Sequence, residues 1–273
     1  MFCLELTNHC NLRCPMCTLG TMERPAGFIE PDVFREVVDQ SRRFGIELDW
    51  FHIYGEPLLH PRIEEFMAYF REHGLGLGGI STNGLILNRH RVHVLKTYCK
   101  EALVAVDSVR EDVYRVLRAN DRFRELCDKV KLLIEQAAGT ELRITIQYLQ
   151  TRLNPDETQA EFEEVFGVHS HVTYFTKTTE QFAGGQDFTL RELPRLPKRD
   201  CPKLHHFLGI LANGECVTCC YDVDGEQSAG NIRESNLLEL WNGERRRRQL
   251  RDSAAGNFSA LPLCDKCAGA TVG

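Results

Sequence analysis

Cys10, Cys14 and Cys17 stand at C-x3-C-x2-C spacing in the segment Cys10-Asn11-Leu12-Arg13-Cys14-Pro15-Met16-Cys17, close enough for one loop to wrap one inorganic centre. Thiolates are the usual ligands of iron–sulfur clusters, and a [4Fe–4S] cubane has four irons, so three cysteines leave one iron without a protein ligand. That vacancy is where chemistry can happen. The alternative is a zinc site completed by the adjacent His9. A second group lies near the other end, in Cys201, Cys219 and the pair Cys264-Asp265-Lys266-Cys267. Four thiolates close a site, which suits an electron-transfer cluster or a structural zinc ribbon.

The chain has 12 cysteines in 273 residues, and Glu5 interrupts its one candidate signal segment. Cytoplasmic location is therefore the expectation, and a reducing compartment keeps such cysteines as ligands or buried thiols rather than disulfides. Cys3, Cys99 and Cys127 fall inside strand or helix patterns and read as core. With 42% apolar and 26% charged residues the composition is that of a folded globular chain. Apolar runs such as Leu103-Val104-Ala105-Val106 fall far short of the ~20 residues of a membrane helix. A net charge of −6 gives no general attraction to nucleic acid or anionic lipid. The arginines at 245–248 and 251 spread around a helix and read as a solvated face. No nucleic-acid or membrane partner is expected.

These thiols need a scaffold. From Met1 to about Phe175 short apolar runs alternate with longer amphipathic stretches, the pattern of repeated βα units and a parallel sheet. Strands are predicted at 2–7, 50–54, 76–82, 102–106, 142–149 and 171–175. Helices are predicted at 31–44, 61–73, 89–99, 111–137 (with a break near Asn120) and 155–166, and Pro31, Pro61 and Pro155 suit first turns. The arrangement fits an open barrel or a doubly wound sheet, and either one gathers reactive groups at the carboxyl ends of its strands. The pattern fades over 176–200, where Gly184-Gly185, Pro194 and Pro197 read as a linker. Beyond it, Asn213-Gly214 reads as a hairpin turn between strands at 207–212 and 215–219, and a helix is predicted at 235–250 with Ser235 as its cap.

The three-cysteine loop after the first strand, together with Tyr54-Gly55-Glu56-Pro57 after the second, resembles the radical S-adenosylmethionine (AdoMet) superfamily over nearly the whole chain. The resemblance implies a partial (β/α)6 TIM-like barrel over 1–176, a linker at 177–200 and a small α+β domain at 201–273. It also implies that the open iron of a [4Fe–4S] cluster on Cys10, Cys14 and Cys17 chelates AdoMet, whose reductive cleavage yields a 5′-deoxyadenosyl radical that removes hydrogen from an unactivated carbon. A carboxylate or backbone carbonyls must receive the methionine ammonium, and Gly55 permits close approach there; Gly55, Glu56 and Pro57 are the residues implied. Tyr54 stands where the family has a first glycine. Ser81 and Asn83 in Ser81-Thr82-Asn83-Gly84 look like the ribose-binding turn, which otherwise reads as a simple turn. Asp107 matches a motif after the fourth strand. Arg118 further on is a partner for the methionine carboxylate or else an exposed helix residue, and Met16 packs on adenine or fills core.

The segment 213–222 followed by Gly230-Asn231-Ile232 and Leu240-Trp241 is similar to the SPASM/Twitch extensions of this superfamily. A full SPASM run of seven cysteines is absent, so the Twitch form implies one auxiliary [4Fe–4S] cluster on Cys201, Cys219, Cys264 and Cys267. A cluster ligated by four cysteines has no vacancy and suits electron transfer. The short, single-auxiliary-cluster form is similar to dehydrogenases of 2-deoxy-scyllo-inosamine and to related aminocyclitol and aminoglycoside enzymes of antibiotic biosynthesis. That implies a small-molecule substrate, oxidation at an alcohol carbon, and a flavodoxin- or ferredoxin-type electron donor. The runner-up is a radical epimerase of an aminoglycoside or peptide in which Cys216 or Cys220 donates hydrogen; both read equally as small buried residues. A non-catalytic zinc protein is the remote alternative. His205-His206 is a base, a substrate contact or a local structural pair. Peptide-modifying relatives often carry a recognition domain before the cluster loop, and nine residues precede Cys10, which favours a small-molecule substrate or a separate recognition subunit.

Overall fold

The computed structural model describes residues 1–178, Phe188 and 198–267. Strand β1 (Phe2–Leu4) is followed by helices α1 (Pro31–Phe44) and α2 (Ile63–His73), then β2 (Ile80–Thr82), α3 (Arg89–Tyr98), β3 (Glu101–Asp107), α4 (Glu111–Arg118), α5 (Phe123–Ala137), β4 (Arg143–Gln150), α6 (Gln159–Phe166) and β5 (Val172–Thr178). Helix α1 forms where the sequence places it. Pro31 opens it, Val33, Phe34, Val37 and Val38 line its buried face, and Gly45 ends it in the left-handed conformation at φ 66°.

Strands β2, β3, β4 and β5 form one parallel sheet in that order. The strand predicted at 50–54 contracts to Trp50, which bridges β1 at Cys3 and the approach to β2 at Gly79. Its ladder is complete on both sides, with Leu4 N–H donating to Trp50 O and Phe51 N–H to Gly79 O; beyond Phe51 the backbone must turn for the Gly-Glu-Pro element. The parallel passes thus continue from β5 through β2 and Trp50 to β1, forming an α/β, incomplete barrel. Alternation along the strands sets its two faces. Ala102, Val104 and Val106 of β3 and Ile144, Ile146 and Tyr148 of β4 are buried, with Tyr148 stacked on Phe162 of α6 at 4.4 Å. Leu103, Ala105, Thr145 and Gln147 are half-buried on the opposite face.

The C-terminal elements are α7 (Pro202–His206), β6 (Leu208–Ile210), β7 (Glu215–Val217), β8 (Gly230–Asn231), α8 (Leu237–Asn242), α9 (Glu244–Ala255) and α10 (Pro262–Lys266). The hairpin β6–β7 turns at Asn213-Gly214 as expected, with Gly214 at φ 88°. Its β6 pairs in parallel with β1, so the sheet runs on from the barrel into the C-terminal unit. Helix 111–137 is broken where expected, at Ala119 with φ 47°. The helix expected at 235–250 is instead two, divided at Gly243, and its cap is Asn236, whose side chain accepts Glu239 N–H at 3.0 Å while Glu239 reaches back to Asn236 N–H. Helices α2 and α6 begin later than Pro61 and Pro155 imply; Thr158 and Glu161 form a capping box for α6. The expected linker glycines at 184–185 and the prolines at 194 and 197 lie outside the described residues. Among the described residues no helix is long and apolar enough to cross a membrane.

Candidate functional site

The loop that follows β1 is shaped by its own hydrogen bonds. Thr7 Oγ1 donates to Gly27 O at 2.7 Å, Asn8 Oδ1 accepts Gly27 N–H at 2.7 Å, Cys17 N–H donates to Cys14 O at 3.0 Å, and Leu12 N–H points at Cys10 Sγ at 3.4 Å. Burial pushes the Cys10 thiol up to about 11 and raises Cys17 as well, so metal must displace their protons on binding. His9, the fourth ligand of the zinc alternative, has its ring against Phe28 at 4.7 Å. Among the described residues no three His, Cys, Asp or Glu side chains gather closely enough for a single ion.

The Gly-Glu-Pro element lies directly on this loop. Gly55 has φ +76°, and a Cβ there would stand 2.3 Å from Thr7 O and 2.8 Å from His9 O; only glycine permits that approach. Glu56 N–H donates to His9 O at 2.7 Å. The expectation that the Glu56 carboxylate receives the methionine ammonium meets a different arrangement. The carboxylate is buried and accepts three protein hydrogen bonds, from Leu58 N–H at 3.1 Å, Thr82 Oγ1 at 2.9 Å and Asn83 N–H at 2.7 Å. It joins the one-turn helix opened by Pro57 to the end of β2, and burial lifts it to about 7. Asn83 is likewise committed to the cysteine loop, donating from Nδ2 to Asn11 Oδ1 at 2.9 Å with Cys10 Sγ at 3.8 Å. Ser81, half-buried on β2, stands on the opposite face from Thr82.

Arg118 is buried, not an exposed helix residue. Its Nε lies 2.7 Å from Asp107 Oδ2, Nη1 is 3.7 Å from Cys14 Sγ and Nη2 donates to Ala105 O. Burial works against its charge, but Asp107 and Cys14 hold its pKa above the ordinary arginine value. A register shift in β3 between Ala105 and Asp107, with Asp107 at φ 71°, turns that carboxylate toward Arg118. The Tyr114 hydroxyl is buried in the same region with no hydrogen-bond partner among the described residues, the signature of a place where a polar ligand supplies the missing partner. Met16 packs on Val113, Leu117 and Phe188, the core-filling alternative.

Cys201, Cys219, Cys264 and Cys267 line one cavity. Cys201 caps α7, Cys219 follows β7, Cys264 lies on α10 and Cys267 ends it. Its wall draws four thiols from three separate segments, spaced too widely for a single ion and a donor set that fits a fully ligated cluster. The Cys219 thiol is raised well above its ordinary value by its hydrogen bond with the Cys220 thiol and by burial. The two spare cysteines part company. Cys216 is fully buried in β7 and pushed to about 12 by burial, which matches its reading as a small buried residue. Cys220 is half-buried; its carbonyl accepts from Tyr54 Oη at 2.5 Å and its Sγ lies 3.8 Å from Lys203 Nζ. Cys3, Cys99 and Cys127 are buried, as expected. His205 pairs with Asp200 at 2.8 Å on the surface, a local contact.

Two residues carried no readable sequence signal, and a third, Arg246, departs from the solvated face expected of the arginines at 245–248 and 251. Arg24 forms a bidentate, buried ion pair with Glu5 at 2.7 and 2.6 Å and donates from Nε to Val223 O. Glu5 in turn accepts Ala212 N–H at 3.1 Å. His52 lies beside the Gly55 backbone, and burial lowers it to about 4. Arg246, within the arginine run, is buried with its guanidinium 3.4 Å over Trp241, whereas Arg247, Arg248 and Arg251 are exposed and paired with Glu244 or Asp252.

The radical SAM superfamily model matches residues 4–166, and an iron–sulfur cluster-binding domain model, SPASM, matches residues 201–268. Over 85 residues the chain is 38% identical to the tungsten-containing aldehyde ferredoxin oxidoreductase cofactor-modifying protein of Pyrococcus furiosus, covering 31% of this chain and 24% of that protein. Over 145 residues it is 26% identical to the antilisterial bacteriocin subtilosin biosynthesis protein AlbA of Bacillus subtilis, covering 52% of this chain and 32% of that one. The chain thus spans about a quarter to a third of the length of these two relatives. Among solved structures, BtrN in complex with AdoMet and 2-DOIA shares the fold with a TM-score of 0.64 at 18% identity, over 98% of this chain and 92% of that chain. SuiB of Streptococcus suis bound to precursor peptide SuiA shares it with a TM-score of 0.67 at 13% identity, over 98% and 71%. The chain belongs to the radical SAM superfamily, as an enzyme whose cofactors are AdoMet, a [4Fe–4S] cluster and the auxiliary cluster of a C-terminal SPASM domain.

Proposed function

We propose that this enzyme oxidises an alcohol carbon of a polar small molecule, a sugar, aminoglycoside or aminocyclitol. In this reading Cys10, Cys14 and Cys17 hold the AdoMet-binding cluster, and Cys201, Cys219, Cys264 and Cys267 hold one auxiliary [4Fe–4S] cluster. When bound, these groups supply reductive cleavage of AdoMet at one site and an electron acceptor at the other. Gly55 would let backbone carbonyls of its turn approach the methionine ammonium, and Arg118, held by Asp107 beside Cys14, would pair with the methionine carboxylate. Glu56 and Asn83 act as positioning residues that join the turn, the end of β2 and the cysteine loop. The Tyr114 hydroxyl offers the remaining buried polar contact.

The observation that carries the reading is the cavity lined by four thiols: a site closed by four ligands has no position for a substrate atom and suits electron transfer, which oxidation requires. The small-molecule reading draws support from BtrN, solved with AdoMet and 2-DOIA, which the chain covers over 92% of its length. Radical epimerisation is the second reading, favoured by the half-buried Cys220 thiol beside Lys203; SuiB, bound to a precursor peptide, keeps peptides among its substrates. Electrons for AdoMet cleavage come, in this proposal, from a flavodoxin or ferredoxin.

Anaerobic reconstitution tests it. About eight irons per chain support two clusters and about four remove the electron acceptor. Deuterium at the abstracted carbon should appear in 5′-deoxyadenosine, with one AdoMet consumed per ketone formed. Solvent deuterium in an isomeric product, lost in Cys220→Ala, would establish epimerisation instead.

A further inference from the structure

The wall of the four-thiol cavity also carries Lys198 and Lys203, and no carboxylate lines it among the described residues. Lys203, on α7 just after Cys201, has its ammonium 4.7 Å over the Tyr221 ring and 3.8 Å from Cys220 Sγ. Lys198 has its ammonium 4.5 Å over the Phe258 ring and donates to Asp265 O at 3.0 Å, inside the Cys264–Cys267 pair. Each cation attends a different part of the cavity wall: Lys203 reaches the residue after Cys219, and Lys198 reaches the backbone between Cys264 and Cys267. An aromatic face fixes each ammonium, which spares these long side chains the freedom they have on an open surface.

We propose that Lys203 and Lys198 raise the reduction potential of the auxiliary cluster and so make it an electron acceptor. The inference rests on the reading that Cys201, Cys219, Cys264 and Cys267 hold that cluster. Reduction adds one electron, hence one negative charge, to a centre already surrounded by four thiolates. No bond forms or breaks at either lysine and neither proton moves. Two fixed cations in a partly dehydrated wall stabilise the reduced form more than the oxidised one, and charge and hydrogen bonding around the sulfurs are established levers on cluster potential. The electron is the one left on the substrate carbon after hydrogen abstraction and loss of the hydroxyl proton. Packing alone would be served as well by neutral side chains of similar length.

The experiment uses the full chain with Cys10, Cys14 and Cys17 replaced by alanine, so that the auxiliary centre is the one observed. Iron is counted, and an EPR-monitored redox titration is run on this parent and on Lys203→Gln, Lys203→Arg, Lys198→Gln and the double glutamine variant. The expected result is about four irons throughout, with a lower potential in each glutamine variant, lowest in the double, and retention in Lys203→Arg. The expected loss for the double variant is roughly tenfold in the equilibrium for accepting an electron, about 59 mV for a one-electron couple. In the chain with its native cysteines, the same variants should form less product per AdoMet cleaved. Should Lys203→Gln lose iron, Lys198→Gln decides the matter. Unmoved potentials with intact iron overturn the inference while leaving the two-cluster reading standing. A parent that binds no iron overturns that reading, and this inference with it.

Discussion

A single methyl group at position 55 is enough to test how the first site is built. The added carbon would meet Thr7 O at 2.3 Å in a backbone held at φ +76°, and both strain and collision fall on the segment that leads into Cys10. Gly55→Ala should therefore destabilise the chain by about 1–3 kcal/mol. Its iron content after reconstitution should drop from about eight toward about four, with the C-terminal centre retained; an unchanged count would dissociate Gly55 from the cysteine loop. At this scale the sequence was legible where the chemistry demands a residue type at a spacing. Thiolates that share one centre must be close along the chain or be brought close, and Cys10, Cys14 and Cys17 are the first case. Arg118 was legible as a candidate because it belongs to a recognised pattern, but its burial was not: on a helix with Arg115 also charged, sequence alone does not say which arginine turns inward. Glu56 shows the converse, a residue marked for ligand contact whose carboxylate is engaged by three donors of its own fold.

Between elements, Glu56 is a joint whose strength depends on pH. Its ordinary value is 4.5, and burial raises it to about 7 in the folded chain. Between those values the folded state keeps a proton that the unfolded state has released, so stability falls as pH rises through this window and levels off above it. The full effect is roughly 3 kcal/mol. In urea unfolding of the metal-free chain from pH 4.5 to 8, Glu56→Gln should remove that slope, and the difference between the two chains isolates this carboxyl. Parallel profiles would show that the group titrates normally. The other elements follow their local signals only in part. Pro31 opens α1 as the sequence implies, while Gly243 divides the helix expected at 235–250 because its backbone lies at φ −69°, ψ 162°, extended rather than helical. The run of arginines concealed that break, since charge patterning is indifferent to a single glycine.

Across the molecule, Arg24 couples the barrel to the auxiliary unit. Its guanidinium neutralises Glu5, just beyond β1, and bonds Val223 O, while Asp224 Oδ1 accepts the N–H of Glu23 and Arg24 at 2.8 and 2.9 Å. Arg24→Ala strands a buried carboxylate and should cost about 3–5 kcal/mol, whereas the double change Glu5→Gln, Arg24→Met should cost clearly less. Denaturant midpoints of the three chains check this, and equal losses in both variants would rule out charge burial as the cause. What the sequence by itself determined is the local chemistry and the family: thiol spacing, the Gly-Glu-Pro turn, the βα alternation and the Asn-Gly hairpin each depend on residues near one another in the chain. Tertiary structure alone decided that β6 completes the sheet beside β1, that Cys216 is sealed while Cys220 is not, that Arg24 finds Glu5, and that Lys198 and Lys203 share a wall with four thiols. Those outcomes depend on which distant surfaces exclude water from one another, and burial of that kind has no period or spacing along the chain to reveal it in advance.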